Sequence, residues 1–438
     1  MNSDECGRIS KGDEDDSMIK EINVRDLKVG MYVEGLGVSW FNHPFVRNKF
    51  QITKESEIEK IKECGIITIK IDTEKSVDLA SAVEKQDEQD TLFSVKKLEK
   101  QDDIPPAEQE PVPLKEEIER SEKIYQENLP LVHKLVDDIK KGNKIDARSV
   151  NDSVDQLVES VFRNRYAAVA LAKLKTYDEY TFTHSINVSV FAIALGRQLN
   201  LHRQQLKLLG AGAMLHDIGK SSIPDEILNK PGPLTEEEFG IMKTHPKLGI
   251  KHLKRVQDVS QEVLQCILNH HEKMNGKGYP RNLQGAAIGD YAKMVSIADS
   301  YDAITSTRVY QKSILAHHAL KIIFGLRGEH FYPSFVERFI QVVGIYPIGT
   351  LVQLNTNEIG VVTAVNPSNL LYPDIQLLIN EKGEKMDAVL PVCLCEEYKK
   401  PTQLRRKIVD ILSQERFSEI LPGKQDRLLT LIPPLNKT

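Results

Sequence analysis

Histidines are concentrated in the middle of this 438-residue sequence, where seven of the twelve lie between His184 and His271. His184 shares a helical stripe with Val188, Phe191 and Leu195, at the spacing that places side chains on one face. Such an apolar face is buried in a folded protein, and a buried imidazole without a partner loses its hydrogen bonds to water. The pattern therefore indicates that several histidines share a partner.

Acidic side chains accompany these histidines. Five residues occur as adjacent pairs or inside apolar segments where a polar group needs a partner: His216, Asp217, His270, His271 and Asp299. Any one of them alone is more often a hydrogen-bonded core residue, but together they indicate a shared transition metal. Because carboxylate oxygens can span two ions ~3.5–4 Å apart, a two-metal centre accounts for the whole set. Surface positions are expected for the remaining histidines of the folded part: His133, His202, His252, His317, His318 and His330.

Composition bounds the class of protein. The chain is 40% hydrophobic and 28% charged with a net charge of −5, which is typical of a globular protein. It contains no run of ~18 apolar residues and no apolar N-terminal segment, so neither a membrane span nor a secretory signal is predicted. Five scattered cysteines are typical of reduced thiols, and no dense Lys/Arg stripe indicates binding to a DNA or RNA duplex. We expect a cytoplasmic protein.

Apolar periodicity predicts the elements that position the histidines. A period of 3.6 predicts helices over residues 118–344, and a capping box at Thr235–Glu238 predicts a helix that ends near His245. After Tyr346 the period becomes two, so the segments TLVQLNT, EIGVVTAV and DIQLLIN predict a small β-meander. A weak helix is expected near Gln403–Leu412.

The remaining segments complete the expected organisation. Ile22–Asp72 mixes turn residues with β-branched ones and predicts a small α+β domain, whereas residues 84–115 gain charge and proline as linkers do. The expected fold class is mainly α, with a small N-terminal α+β domain and a short C-terminal β-meander. The expected divisions are a disordered acidic tail (1–20), the α+β domain (21–80), a charged linker (81–115), connecting helices (116–149), a catalytic domain (150–348), the β-meander (349–398) and a polar tail (399–438).

Two motifs carry a family resemblance. LHDIGK at Leu215–Lys220, followed by HHEKMNGKGYP at His270–Pro280, resembles the HD-GYP family of bacterial cyclic-dinucleotide phosphodiesterases, which have an HD-type helical bundle. HDIGK alone marks only the broad HD superfamily, whereas the second motif at this distance is highly specific. The resemblance covers roughly residues 150–348. Ile22–Asp72 in turn resembles the small N-terminal domain of uncharacterised role that is often attached to such proteins.

The resemblance implies a ligand set. Its metal ligands would be His184, His216, Asp217, His245, His270, His271 and Asp299. The implied division places His184, His216 and Asp299 on one ion and the other three histidines on the second, with Asp217 bridging. Mixed nitrogen and oxygen ligands suit Fe or Mn. Some family members bind a third ion through a glutamate that corresponds to Tyr180; since Glu179 points elsewhere on a helix, two ions are expected.

Basic residues near these motifs are candidates for contacts with phosphate. Lys220 follows Asp217 by three residues at a turn and could reach a nonbridging phosphate oxygen, which makes both residues candidates for catalysis. Arg308 and Lys312 are neighbours at i, i+4 and could clamp a second phosphate. Each of these bases alone is more often a surface residue, and the resemblance is what favours a role in binding.

The GKGYP loop has two interpretations. Gly276 and Gly278 allow positive φ angles and close approach to a ligand, while Pro280 fixes the exit of the loop. Tyr279 could stack on a base or hydrogen-bond a phosphate; the alternative is an ordinary tight turn. The resemblance also links this loop to docking of partner proteins, including diguanylate cyclases.

The predicted function is hydrolysis of cyclic di-GMP to pGpG by a metal-activated hydroxide. Whether pGpG is hydrolysed further to GMP is left open. Two alternatives remain: hydrolysis of 3′,3′-cyclic GMP-AMP, which has the same backbone, and a non-catalytic receptor or scaffold for cyclic dinucleotides. The sequence leaves open which nucleotide is preferred and whether the chain forms a homodimer.

Overall fold

A computed structural model describes residues 19–35, 50–52, 55–63, 68–76, 112–141, 143, 146–174, 180–254, 259–306, 314–398, 405–413, 416 and 419–420. The chain divides into two compact units, residues 1–100 and residues 101–438. Within the described ranges, no helix combines the length and the apolar character that crossing a bilayer requires.

The first unit is a small sheet with one helix. Its elements are β1 (Ile19–Asn23), β2 (Tyr32–Gly35), β3 (Phe50–Gln51), α1 (Glu55–Glu63) and β4 (Thr68–Asp72). The strand order is β1-β4-β2-β3 with antiparallel neighbours. Ile58 and Ile61 lie one helical turn apart on α1 and pack into one core with Ile69 and Ile71 of β4. The predicted small α+β domain is confirmed.

The second unit begins with a series of helices. They are α2 (Leu114–Lys140), α3 (Ala147–Leu174), α4 (Tyr180–Gln198), α5 (Arg203–Leu215), α6 (Asp225–Leu228), α7 (Glu236–Met242), α8 (His245–Leu253), α9 (Gln261–Asn269), α10 (Asp290–Thr305), α11 (Ala316–Gly325) and α12 (Pro333–Val343). Helix α3 is interrupted at Asn164, which has extended backbone angles and whose Oδ1 accepts the N–H groups of Tyr166 and Ala167. The prediction of a mainly helical protein is confirmed.

Helix α4 is central to this bundle. Every residue from Thr183 to Arg197 is buried, which is typical of a helix surrounded by others on all sides. Phe191 of α4 lies 5.1 Å from Tyr301 of α10, and Tyr301 lies 5.2 Å from Phe339 of α12, measured between ring centroids. These aromatic contacts fix α4 and α10 side by side, and each of these two helices carries a predicted ligand.

The predicted capping box is confirmed at the start of α7. Thr235 Oγ1 accepts the N–H of Glu238, and the Glu238 carboxylate accepts the N–H of Thr235. This helix ends near His245, as predicted: α7 ends at Met242, and a new helix, α8, begins at His245. The physical reason is Pro246 in the first turn of α8: proline cannot donate to a continuing helix but suits a helix start.

The C-terminal part forms a sheet that is larger than predicted. It contains β5 (Leu351–Leu354), β6 (Ile359–Ala364), β7 (Asp374–Ile379), β8 (Lys385–Cys393), the short α13 (Leu394–Tyr398) and β9 (Ile408–Ile411). All neighbours are antiparallel in the order β8-β7-β6-β5-β9. The predicted meander is therefore present, but the weak helix near Gln403–Leu412 is wrong, because Ile408–Ile411 pairs with β5 as a strand.

His317 corrects one expectation about the histidines. It was expected on the surface, yet only 9% of it is exposed on α11. Its Nδ1 lies 3.3 Å from the carbonyl oxygen of Ile345, and its ring stacks on Tyr346 at 5.7 Å. A carbonyl partner and a stacked aromatic ring allow this imidazole to be buried without a metal.

Candidate metal centre

The seven predicted ligands come from five helices and meet in the bundle. His184 lies in the first half of α4 and Asp299 on α10, while His216 and Asp217 directly follow α5. His245 begins α8, and His270 and His271 directly follow α9. Helix ends therefore supply most of the set, because the chain leaves each helix next to the same space.

The ligand atoms form two groups. Within each group the atoms lie no more than 4.8 Å apart: His184, His216 and Asp299 form one, and Asp217, His245, His270 and His271 form the other. His184 Nε2 is 3.2 Å from Asp299 Oδ1, and His245 Nε2 is 3.4 Å from His270 Nε2. Atoms bound to one ion at ~2.1 Å lie roughly 3 Å from each other, so both groups have the size of a metal site.

Asp217 lies between the two groups. Its Oδ2 is 3.3 Å from His216 Nε2 and 3.6 Å from His184 Nε2, whereas its Oδ1 is 3.3 Å from His245 Nε2 and 3.8 Å from His270 Nε2. One carboxylate thus presents one oxygen to each group. This is the arrangement that a bridging ligand between two ions requires.

Asp299 also faces both groups, which the sequence did not indicate. Its Oδ1 faces His184 and lies 3.8 Å from His216 Nε2, while its Oδ2 lies 4.0 Å from His271 Nδ1. A second carboxylate therefore lies across the boundary between the two groups.

Three of the histidines are oriented in the same way. The Nδ1 of His216, His245 and His270 lies 2.7–2.8 Å from the carbonyl oxygen three residues earlier, at the end of a helix or the turn before one. Such a bond is made by an N–H at Nδ1, so Nε2 is the nitrogen of each ring that can bind a metal ion in place of a proton. In each case Nε2 is the atom that faces Asp217, as a metal ligand requires.

His184 is oriented by residues that the sequence analysis missed. Its Nδ1 lies 2.7 Å from Asp302 Oδ2, and Asn187 Nδ2 donates to Asp302 Oδ1 at 2.8 Å. Asp302 is 2% exposed and follows Asp299 by three residues on α10, and Asn187 follows His184 by three on α4. That spacing places each pair on one helix face, which was the signal available in the sequence. A carboxylate behind a ligating histidine is a common support of metal sites.

Two glycines allow the backbone around the site to pack closely. A Cβ at Gly219 would lie 2.0 Å from the His245 carbonyl oxygen, so only glycine lets the turn after Asp217 pack against α8. A Cβ at Gly278 would lie 2.4 Å from Glu272 Cα. Gly276 has φ of 75°, as predicted, but the close approach at Gly278 is to this chain's own backbone rather than to an open ligand site.

The electrostatics of the centre favour cations. Burial acts against the charged forms, but His216 and its neighbours hold the pKa values of Asp217 and Asp299 well below the usual range. Burial alone would lower the pKa of His216, yet the two carboxylates raise it to about 9. Burial lowers the pKa of His271 to about 3 and that of His270 well below its usual value, so both stay neutral donors. The carboxylates thus create a site that stabilises positive charge.

Unpaired buried atoms test whether metal ions fit here. Among the described residues, His216 Nε2 and Asp217 Oδ1 are buried and lack a hydrogen-bond partner. Both atoms point into the centre, where a buried polar group without a partner would cost ~1–3 kcal/mol. A divalent ion would satisfy both, and the mixed imidazole and carboxylate donors are those that transition metals bind. The residues therefore fit a metal centre.

The structure describes some of the predicted substrate contacts and not others. Lys220 donates from Nζ to Asp217 Oδ2 at 2.5 Å, so its ammonium reaches the centre itself. The Tyr279 ring lies 4.7 Å from the His271 ring and 6.4 Å from Phe239, whose side chain is 44% exposed. Glu272 holds the loop by accepting the N–H groups of Arg281 and Leu283, a role that the sequence analysis did not predict.

Four positions lie outside the described residues or have no described side chain: Glu179, Tyr180, Arg308 and Lys312.

Comparison with protein families defines the class first. Residues 162–335 match the model of an HD domain. This matched range contains all seven candidate ligands. Residues 19–150 match a domain of unknown function, DUF3391, and residues 351–396 match a KOW domain that is associated with HD domains. HD domain phosphohydrolases depend on metals, and the centre described above has the donors for them.

Similarity to individual proteins then identifies the family. The chain is 36% identical over 368 residues to the cyclic di-GMP phosphodiesterase PA4108 of Pseudomonas aeruginosa, covering 84% of this chain and 87% of that protein. It is 33% identical over 214 residues to the cyclic di-GMP phosphodiesterase response regulator RpfG of Xanthomonas campestris, with 46% and 57% covered. A 3′3′-cGAMP-specific phosphodiesterase 2 of Vibrio cholerae is 33% identical over 162 residues, with 37% and 31% covered. This chain belongs to the HD-GYP family of phosphodiesterases.

Proposed function

We propose that this protein hydrolyses cyclic di-GMP to pGpG in a reaction that depends on two divalent transition metals, Fe or Mn. The observation that carries the proposal is the placement of Asp217, whose two oxygens face two different groups of histidines. Similarity to a cyclic di-GMP phosphodiesterase over 84% of the chain supports the choice of substrate.

The ligand roles follow the two groups. His184, His216 and Asp299 would hold one ion, His245, His270 and His271 the other, and Asp217 would bridge them. Bound ions supply Lewis acidity, which activates water at neutral pH and offsets negative charge on phosphoryl oxygens. The carbonyl partners at the three Nδ1 atoms hold the rings with Nε2 directed at the centre.

Two side chains at the centre are proposed to bind the nucleotide. The Lys220 ammonium, now on Asp217 Oδ2, is close enough to the centre to donate to a phosphate oxygen beside that carboxylate. Tyr279 lies beside the rings of His245 and His271 and edge to face with the half-exposed Phe239, so Tyr279 and Phe239 together offer aromatic surface to a purine base. Arg308 and Lys312 remain proposed contacts for the second phosphate.

The loop from Gly276 to Pro280 is also proposed to dock a diguanylate cyclase. Its Lys277 is exposed, and Glu272 holds the loop in one conformation. In a pull-down with a diguanylate cyclase, Lys277→Glu should reduce capture while hydrolysis of free cyclic di-GMP stays unchanged. Equal capture of both forms would remove the loop from the interface.

Metal analysis combined with turnover tests the main proposal. Purified protein loaded with Fe or Mn should contain two ions per chain and convert cyclic di-GMP to pGpG, as followed by chromatography. The second candidate substrate is 3′,3′-cyclic GMP-AMP, which the similarity to a cGAMP-specific phosphodiesterase favours. Faster turnover of that nucleotide would transfer the assignment to it. A two-ion protein that binds both nucleotides and hydrolyses neither would instead be a receptor.

A further inference from the structure

Helix α2 reaches the support of the metal centre from outside the matched HD domain. Tyr125 lies on α2, within the DUF3391 match at 19–150 and before the HD match at 162–335. It is 3% exposed, and its hydroxyl donates to Asn187 Oδ1 and lies 3.1 Å from the Thr183 carbonyl oxygen. Asn187 in turn donates to Asp302, and Asp302 holds His184. A continuous hydrogen-bonded path therefore connects α2 to His184.

The order of donors along this path is fixed by chemistry. Asp302 as a carboxylate only accepts, so it takes the Asn187 amide N–H on one oxygen and the His184 Nδ1–H on the other. The Asn187 amide must then present its oxygen toward α2, and this oxygen needs a donor because the residue is 4% exposed. The Tyr125 hydroxyl is that donor. Without it, the amide loses the contact that keeps its N–H directed at Asp302.

We propose that Tyr125 is a positioning residue for the metal centre, acting through Asn187 and Asp302 to hold His184 Nε2 toward Asp299. Helix α2 is then part of the functional centre, although it lies in the segment that matches a domain of unknown function. The inference rests on the proposed metal centre and deepens it, because it concerns only the ion bound by the His184 group.

Titration of the full-length metal-free chain with Mn²⁺ tests the inference. Calorimetry should resolve two bound ions in the unaltered protein. Tyr125→Phe removes only the hydroxyl. It should lower the affinity for one ion by about tenfold, which is the lower end of the loss seen when a residue supporting a metal ligand is removed, and change the affinity for the other ion by less than about twofold. The weakened ion should be the one that His184→Ala loses. Ser121→Ala is the matched control, since Ser121 is a buried hydroxyl on the same helix that bonds to Ser160 instead.

A double variant separates positioning from general destabilisation. Because Tyr125 acts through Asn187, Tyr125→Phe combined with Asn187→Ala should bind Mn²⁺ no more weakly than Asn187→Ala alone, whereas independent effects would add. Asn187→Ala also tests the same path if Tyr125→Phe does not fold. Three results would each overturn the inference: unchanged Mn²⁺ binding in Tyr125→Phe, equally weakened binding of both ions, or additive effects in the double variant. If the unaltered chain still binds two ions, the proposed metal centre stands. Absence of Mn²⁺ binding in the unaltered chain would overturn both.

Discussion

The metal centre and the C-terminal part of the chain both bury carboxylates, but the C-terminal carboxylates Glu358 and Glu397 have a basic partner there. Glu358 is 5% exposed and accepts two bonds from Arg406, at 2.6 and 3.0 Å, and one from Thr356 at 2.6 Å. Glu397 accepts from the same guanidinium at 3.3 Å. In the metal centre, by contrast, Asp217 Oδ1 and His216 Nε2 lack any hydrogen-bond partner among the described residues.

This difference distinguishes structural charges from functional ones. The Arg406 clamp joins the chain before β9 to the rest of the sheet, and its guanidinium pairs with both carboxylates. The metal centre gathers carboxylates and imidazoles and leaves two buried atoms without a hydrogen-bond partner, which costs free energy in the metal-free protein. Residues of the clamp should therefore be replaceable by apolar ones, whereas residues of the centre should be replaceable only at the expense of function.

The largest effect is expected at Asp217. Asp217→Asn keeps the size of the side chain but removes the charge that faces both histidine groups, so both ions should be lost. Hydrolysis should fall by roughly three orders of magnitude or more, because the bound ions stabilise the charge that develops on the phosphoryl oxygens. Metal analysis and turnover measure this directly. The free energy of unfolding of the metal-free protein should also fall, because His216 and Lys220 lose the carboxylate whose pKa they lower. Retained hydrolysis would contradict the two-metal mechanism.

The next effect is expected at Asp302, which resembles the clamp because its bonds are complete. Asp302→Ala removes the acceptor of the His184 Nδ1–H, and the affinity for the ion of that group should fall about 10–100-fold. Asp302→Asn is the milder variant: its amide oxygen can still accept this bond, but its NH2 group would face the Asn187 N–H, so only part of the affinity should return. Equal Mn²⁺ affinity in the alanine variant and the unaltered protein would show that His184 needs no support.

A substitution in the Arg406 clamp should lower the stability of the fold and leave metal binding unchanged. Glu358→Ala leaves Arg406 without its bidentate partner, and the free energy of unfolding should fall by about 2 kcal/mol, discounted because the guanidinium is partly exposed. Metal content and turnover of the folded protein should stay unchanged. Denaturation with urea measures the loss. The double variant Glu358→Leu with Arg406→Leu should recover only part of it: apolar residues often replace a buried pair at little cost, but Glu397 loses its bond to Arg406. A loss of metal in Glu358→Ala would make the two regions dependent on each other.

The two regions also differ in how far the sequence predicts them. The ligands lie in compact motifs, so spacing and the family resemblance together identified seven side chains that the structure brings together. Asp302 and Asn187 were missed because a carboxylate and an amide one turn from a ligand look like ordinary polar residues. Their role becomes visible only when α4 and α10 lie side by side.

The clamp could not be predicted from local pattern at all. Ile408, Ile411 and Leu412 have helical spacing, so the local pattern does not distinguish this strand from the weak helix predicted near Gln403–Leu412. Strand β9 forms instead because it pairs with β5 and because Arg406 binds Glu358, 48 residues earlier. Partners so distant in the chain leave no periodic signal, and tertiary contacts outweigh local propensity.

The smallest effect concerns His317, a buried histidine that has a partner in the fold. Burial lowers its pKa to about 4, although the Ile345 carbonyl opposes this shift, and Lys321 and His318 add to it. The unfolded chain therefore binds a proton below pH ~6.5 that the folded chain does not bind until pH ~4, so stability is lost as the pH falls through this window. Against His317→Gln, the stability advantage of the unaltered protein should shrink by about 1 kcal/mol for each pH unit between pH 6 and 5. Urea denaturation at both pH values measures it, and the difference between the two proteins cancels the titration of the metal-centre histidines. A constant difference would mean that His317 is protonated in the folded chain.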